Sequence, residues 1–459
     1  LAGLTLALLQ QRGLQQRMGR LLWARPAANA AGVLELRYSR SVDADSLAAS
    51  IQLEPEVPLR ATAEGATVQL HLSQPYRING PLKVTMAGQD QQGHPLSKVH
   101  FQWDPRPFVV ALVSSSQGER LELGWPEGPW QPLTPWEPTI SSLLPLRDGR
   151  GVVYGAAVDD LSYRNWLVTV EQPSVLAQHL PVVLQPAKPP QHLPAPTTLY
   201  SHFSSSSKGQ LLIQGVSSAA LEQPAEHPPF LRLLHPGEPP LVPWLQGGQQ
   251  FWRRWEPLDD PTDGPAELLP GGDGLVLPGE DGLFLVSLPP LPPQRHLLPG
   301  NRALKTFCGA GQRAVVLEHQ PEYIKTLELL RPGLSPELVW EGEAAVLAVT
   351  CDETAERIWL LTVDGILHND QLHQDILLLE VRPGHGVVGA LALTDYGLSP
   401  TPALHYDPVT HRLLTVLERM PGSRREALLI SLPATGQHTP PQLHIINKPM
   451  ERAFWMVRS

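Results

Sequence analysis

Four clusters of the 459-residue chain have the residue types of a ligand or metal site. Gly309-x-Gly311-x-x-Ala314 has the spacing of a dinucleotide fingerprint, which works only where a helix N-terminus follows to receive a pyrophosphate. Here the strand-like run Ala314-Val315-Val316-Leu317 follows, so no nucleotide is expected. His368-Asn369-Asp370-Gln371-Leu372-His373-Gln374-Asp375 combines the imidazole and carboxylate types that zinc uses. On a strand His368 and Asp370 would share one face, and only a bend would bring in His373. With no further ligand identifiable, a polar loop is expected. Asp259-Asp260-Pro261-Thr262-Asp263-Gly264 lacks the alternating ligands and closing glutamate of a calcium loop, and reads as a turn. Gly271-Gly272-Asp273-Gly274 departs from the calcium-binding nonapeptide at Val276.

No G-x-S-x-G elbow, H-E-x-x-H pair or P-loop occurs. Glu280-Asp281 is a carboxylate pair in an apparent turn. No catalytic residue, metal or cofactor is therefore expected. Tryptophan beside arginine is more suggestive, because flat apolar area combines with fork-shaped donors. Trp125, Trp130 and Trp136 lie in a proline-laced stretch, and Trp252-Arg253-Arg254-Trp255 follows a Gly-Gly-Gln-Gln loop. These seven residues are the expected ligand contacts. The alternative is that the indoles fill gaps between packed sheets.

The elements that must position these residues are legible in the composition. Fifty prolines and 37 glycines accompany 42% hydrophobic residues, which describes a folded chain dense in turns. Proline lacks the amide donor and breaks helices, so it collects where many loops join short strands. The fold class expected is all-β. Charged residues make up 17% and the net charge is -10, against the basic footprint that nucleic-acid binding needs.

Leu1 to Leu9 is an apolar run too short for the ~20 residues of a membrane span. Residues 1–30 are expected to form a membrane-proximal helix or the remnant of a signal anchor. A helix from Leu4 to Trp23 is the plainer alternative. Arg12, Arg17, Arg20 and Arg25 follow the run, which argues for a cytoplasmic side. Ala28-Asn29-Ala30 has the small residues of a cleavage site. An extracytoplasmic location, in the periplasm or cell envelope with N-terminal attachment, is the expectation.

Within residues 31–104, Val33–Tyr38, Ala66–Leu72 and Pro81–Ala87 read as strands bounded by Gly and Asn-Gly turns, which suggests a small sandwich. The run from Tyr38 through Ser41-Val42-Asp43 to Ser46-Leu47 resembles the opening of bacterial Ig-like domains of the S-layer-associated type. Gln74-Pro75-Tyr76, followed by Asp90, Gly93 and Leu96, is similar to that family's closing hairpin. The resemblance implies a spacer or stalk beside a working domain.

From residue 105 to 459 a polar turn precedes a hydrophobic strand again and again. The turns fall at Asp148-Gly149, Lys208-Gly209, Asp273-Gly274, Gly309-x-Gly311, Asp352-Glu353-Thr354 and Asp407-Pro408-Val409-Thr410. Such spacing gives six to eight units of about 50 residues, the size of a four-stranded blade. The pattern resembles TolB-like and WD40-like β-propellers, without the W-D or G-H signature. Closure is expected between Phe108–Val113 and Arg452–Val457. Cys308 and Cys351 fall at similar places in neighbouring units. A disulfide needs Cα atoms within about 7 Å, so two buried free thiols are expected.

The function expected is that of a non-catalytic envelope protein whose propeller face binds a protein or glycan. The runner-up is a glycan-active hydrolase or lyase using propeller-face carboxylates, and an intracellular scaffold is a third possibility. Two or three acidic or histidine side chains converging on the channel mouth would favour the enzyme. An apolar, Trp-lined rim would favour binding.

Overall fold

The computed structural model describes residues 18–27, 31–73, 77–171, 175–177, 185–186, 189–223, 226–236, 252–258, 262–309, 311–368, 371–420, 424–433 and 439–457. The apolar run at 1–9, the small residues at 28–30, the Gln74-Pro75-Tyr76 corner and Asp259-Asp260-Pro261 lie outside them. So do the side chains of His368, Asp370 and His373.

The first unit is a two-layer β structure. Its strands are β1 (Leu21–Pro26), β2 (Val33–Tyr38), β3 (Gln52–Glu54), β4 (Leu59–Glu64), β5 (Thr67–Leu72), β6 (Leu82–Met86) and β7 (Val99–Trp103). One sheet has the order β1-β2-β5-β4 and the other β3-β6-β7. Period-two alternation sends Val68, Leu70 and Leu72 of β5, and Leu82, Val84 and Met86 of β6, into one shared core with Leu34, Leu36 and Trp103. Leu21–Trp23, the end of the alternative helix in the sequence, is instead the start of β1, paired to β2. The pairing wins because a lone amphipathic helix gains little without a face to bury.

A short helix, α1 (Ala44–Ser50), starts where Asp43 accepts the amides of Asp45 and Ser46 at 3.0 and 3.2 Å. Asp90 accepts the amides of Gln92 and His94 at 2.9 and 2.8 Å, and Gly93 takes φ 82° to close that hairpin. Burial alone would raise the Asp90 carboxyl. The amides of His94 and Gln92 and the His94 ring outweigh it and hold the group below the ordinary carboxylate range.

The rest, among the described residues, is a seven-bladed β-propeller. Five separate sheets are blades 1, 4, 5, 6 and 7. A nine-stranded sheet is two more, blades 2 and 3, joined only at Tyr163–Thr198. Each blade is an antiparallel meander, its strands lettered A to D from the axis outward. The A strands are Arg452–Met456 (blade 1), Ile140–Pro145 (2), Thr198–Ser205 (3), Glu267–Leu268 (4), Arg302–Cys308 (5), Ala345–Cys351 (6) and Leu404–Asp407 (7). Blade 1 is made from both ends of the domain. Arg452 pairs with Leu112 and Met456 with Phe108, so the last strand completes the sheet begun by the first, in the expected closure. Between blades the faces bury Leu, Val and Ile continuously, for example Val168, Tyr154, Phe108 and Met456 between blades 1 and 2.

The six turn signals in the sequence are all A–B corners. A corner carboxylate or hydroxyl accepts the amides that the tight turn leaves without ladder partners. Asp148 accepts from Arg150, Ser206 from Gln210 and Asp352 from Glu356, at 3.0–3.2 Å. Asp407 accepts from both Val409 (3.1 Å) and Thr410 (2.9 Å). The last residue of each corner has positive φ: glycine at 149, 209, 272 and 311, and Ala355 and His411 at the other two. Asp407→Ala should therefore lower unfolding free energy by about 2–3 kcal/mol, since buried amides lose their acceptor. An unchanged urea midpoint would show that the corner does not depend on it.

A–B and C–D turns leave a blade on the same face, and that face meets the sandwich. The Ile78 amide donates to Val409 O at 3.2 Å and Arg77 Nη2 to Leu432 O at 3.3 Å, at the A–B and C–D turns of blade 7. Val409 and Val175, the latter in the C–D connection of blade 2, are part of the sandwich core. Arg106 grips Asp104 with two parallel bonds (2.9 and 2.8 Å) and donates to Asn79 O (3.1 Å), which stiffens the joint.

The two cysteines are not free. Cys308 and Cys351 form a disulfide with Cα atoms 5.6 Å apart. Equivalent positions in adjacent blades are far apart at the rim. Both cysteines end an A strand, where the wedge-shaped blades converge on the axis, and there the spacing fits a bridge.

Candidate binding channel

The seven blades enclose a cavity of about 880 Å3 walled by A strands and A–B corners. Its size falls within the range of small-molecule sites. Ala31, in the β1–β2 turn of the sandwich, also borders it, so the sandwich reaches the A–B end of the channel.

Alternation along each A strand decides which side chains face the lumen. Arg147 follows the A strand of blade 2, and Lys305 lies mid-strand in blade 5. Arg147 is exposed to the lumen. The protein packed around the channel holds its pKa below the usual arginine value, and the charge of Glu267 offsets part of the loss. Burial likewise pulls Lys305 down. Among the described residues, neither side chain has a hydrogen bond or ion pair.

The carboxylate nearest in role is already engaged. Glu267, on the A strand of blade 4, takes Ser204 Oγ–H at 2.6 Å and sits 3.0 Å from His202 Nε2. Glu353, in the blade 6 corner, is pushed up by burial and then by the charges of Asp352 and Asp407. His405 is pushed down to about 4 by burial and by the charge of Arg147. Its ring is therefore neutral at pH 7 and lies against Phe454, ring centroids 4.9 Å apart. His405 Nε2 is buried with no hydrogen-bond partner. The backbone oxygen of the same residue accepts Trp455 Nε1–H at 3.1 Å. Among the described residues, no three His, Cys, Asp or Glu side chains are placed to hold a metal ion.

The tryptophans singled out in the sequence lie elsewhere. Trp125 meets Phe108 edge-on, ring centroids 4.8 Å apart, beside the core between blades 1 and 2. Trp130 and Trp136 pack against the core between blades 7 and 1, with Lys448 over Trp130 and Arg120 over Trp136 at 4.2 Å. All three are half-buried. Trp252, Arg253, Arg254 and Trp255 fall on the D strand of blade 3 (Trp252–Leu258), a strand and not a loop, and their side chains lie outside the described residues. The two groups stand on the outer parts of blades that blade 2 separates. Gly309 and Gly311 form the blade 5 corner ahead of strand Arg313–His319. Glu280-Asp281 is the B–C turn of blade 4.

Sequence reading passed over Arg147, Lys305 and His405. The usable signal was position. Arg147 stands immediately before a corner aspartate, where the A strand meets the lumen, and a charge there is out of place on a strand that packs on the axis.

No protein-family model matches the chain, and no curated protein does. Solved structures similar to it include one of two prolyl endopeptidases, at 12% identity and TM-score 0.45, matched over 89% of this chain and 51% of that one. The chain thus spans about half the length of that enzyme. TolB from Acinetobacter baumannii is similar at 10% identity and TM-score 0.40, over 83% and 81% of the two chains. An oligogalacturonate lyase in complex with manganese is similar at 10% identity and TM-score 0.37, over 71% and 97%. At such scores these likenesses carry no argument, and the propeller rests on strand order and closure.

Proposed function

We propose that this is a non-catalytic binding protein of the cell envelope, whose propeller presents its free face to a protein or glycan partner. The observation that carries the proposal is the division of the two faces. The sandwich occupies the A–B side. On the opposite side the B–C turns of four blades each raise an exposed apolar side chain: Leu161 (blade 2), Leu221 (3), Tyr323 (5) and Met420 (7). Their exposure runs from 55% to 88%. Apolar tips on the face that the sandwich leaves open offer a partner anchor points. The half-buried Trp130 and Trp136 stand at the rim as secondary contacts. Glu267 is engaged by His202 and Ser204, which weighs against the alternative, a glycan-active hydrolase or lyase with free paired carboxylates.

The sandwich is read as an Ig-like spacer, and the location as extracytoplasmic with N-terminal attachment. The disulfide supports export, because such bonds persist in oxidising compartments. No helix among the described residues is long and apolar enough to cross a membrane.

The test compares the purified chain with a variant carrying Leu161→Ser, Leu221→Ser, Tyr323→Ser and Met420→Ser. Both are screened on glycan arrays and by crosslinking in envelope extracts. The variant should keep its circular dichroism spectrum and lose the wild-type partner. A partner held equally by both proteins would overturn the face assignment, and turnover of a glycan by the wild type would favour the enzyme.

A further inference from the structure

We propose that the propeller channel binds a small molecule carrying two acidic groups, carboxylate or phosphate, between Arg147 and Lys305. The proposal does not depend on the partner-binding face. It rests on a cavity and two cations. Arg147 is exposed to the lumen and Lys305 is half-buried in its wall, and charges crowded by protein are ordinarily paired. Three cations line this lumen; Arg313 donates to Glu353 O at 3.4 Å, while among the described residues neither Arg147 nor Lys305 has a hydrogen bond or ion pair, although carboxylates are at hand. Glu267 interacts with Arg147 only through its field and gives its oxygens to His202 and Ser204. A fold that required Arg147 for stability would pair it with Glu267 directly.

Blades 2 and 5 are three apart in a ring of seven, so the two cations approach the lumen from well-separated sides. A single small anion would satisfy one of them. A molecule with acidic groups at both ends satisfies both, and about 880 Å3 leaves room for it. Between the cations, His405, Phe454 and Trp455 line the wall, which gives the body of the ligand a largely apolar surface. The guanidinium fork suits bidentate capture of an oxyanion, and the ammonium suits a point contact.

The experiment titrates the full chain by calorimetry and thermal shift at constant ionic strength. The dicarboxylate arm uses succinate through suberate, the phosphate arm uses fructose 1,6-bisphosphate, and acetate and inorganic phosphate are the single-anion controls. Saturable binding is expected in one arm, tighter than that of its single-anion control, and the responding arm identifies the acid. Arg147→Gln and Lys305→Gln should each weaken binding by about tenfold or more, as expected for a lost charge-assisted bond. Each variant should unfold at the same temperature as the wild type without ligand, because the side chain removed makes no hydrogen bond or ion pair among the described residues. Arg147→Lys should keep part of the affinity.

Three results overturn the proposal. One is no saturable response in either arm up to about 10 mM, the weak end of useful binding. Another is affinity unchanged by both substitutions. The third is destabilisation by Arg147→Gln that Arg147→Lys fully repairs without any ligand, which would make the cation structural.

Discussion

Removal of residues 452–459 should abolish cooperative unfolding of the propeller. Blade 1 takes its innermost strand from this segment, in register from Arg452–Leu112 to Met456–Phe108. Its loss exposes the backbone edge of Phe108–Ser115 and uncovers Val109, Val110 and Ala111, all fully buried. It also removes Met456 and Ala453 from the cores on either side of blade 1, along with the partly buried Phe454 and Trp455. Deleting a buried Met or aromatic side chain costs about 2–5 kcal/mol. Loss of Met456 and Ala453, with the partial contacts of Phe454 and Trp455 and the strand's ladder, takes a large share of the ~5–15 kcal/mol by which a domain is stable. The truncated protein should show a broad, early urea transition and elute as aggregate or expanded monomer. A synthetic peptide of residues 450–459 should restore part of the sharp transition. A truncated chain that unfolds at the wild-type midpoint would mean that the ring does not need its closure.

Breaking the Cys308–Cys351 bond should be the next largest effect. The bond closes a loop of 43 residues, for which chain entropy gives about 4 kcal/mol at 25 °C. Both ends lie buried beside Val315, Leu317, Val349 and Ile358, so the bridge joins blades 5 and 6 at their inner edges. Double substitution to serine adds two buried hydroxyls. Cys308→Ala with Cys351→Ala is the cleaner variant and should lower the urea midpoint with little change in slope. Dithiothreitol should reproduce the shift in the wild type and leave the variant unaffected. Thiol alkylation of protein taken directly from cells should label neither cysteine until reduction. Labelling without reduction would remove the main support for export.

Much of the architecture follows from residue pattern alone. Proline density and the turn-strand rhythm determine an all-β chain with a blade-sized repeat. Most corners need an acceptor for freed amides, and each has a residue at positive φ, so Asp or Ser and Gly recur at most of them. Asp148-Gly149 and Asp407-Pro408-Val409-Thr410 are local solutions to a local problem, and local problems leave a mark in sequence. Strand alternation in Thr67–Leu72 and Leu82–Met86, and the β-rich ends that close the ring, are legible for the same reason.

The binding channel is not. Arg147, Lys305 and His405 are 158 and 100 residues apart in order along the chain, and only closure of the ring brings their strands around one lumen. Apart from the corner aspartate that follows Arg147, nothing in their immediate neighbours distinguishes them from surface charges. The disulfide was hidden by the same geometry, since sequence spacing places the cysteines in adjacent blades but says nothing of their distance from the axis. The tryptophans show the same limit. Their composition is that of a binding patch, and only the fold places Trp125, Trp130 and Trp136 half-buried against the cores beside blade 1. Local backbone needs are thus written in the sequence residue by residue, whereas the convergence of distant side chains on an axis is decided only when the sheet closes on itself.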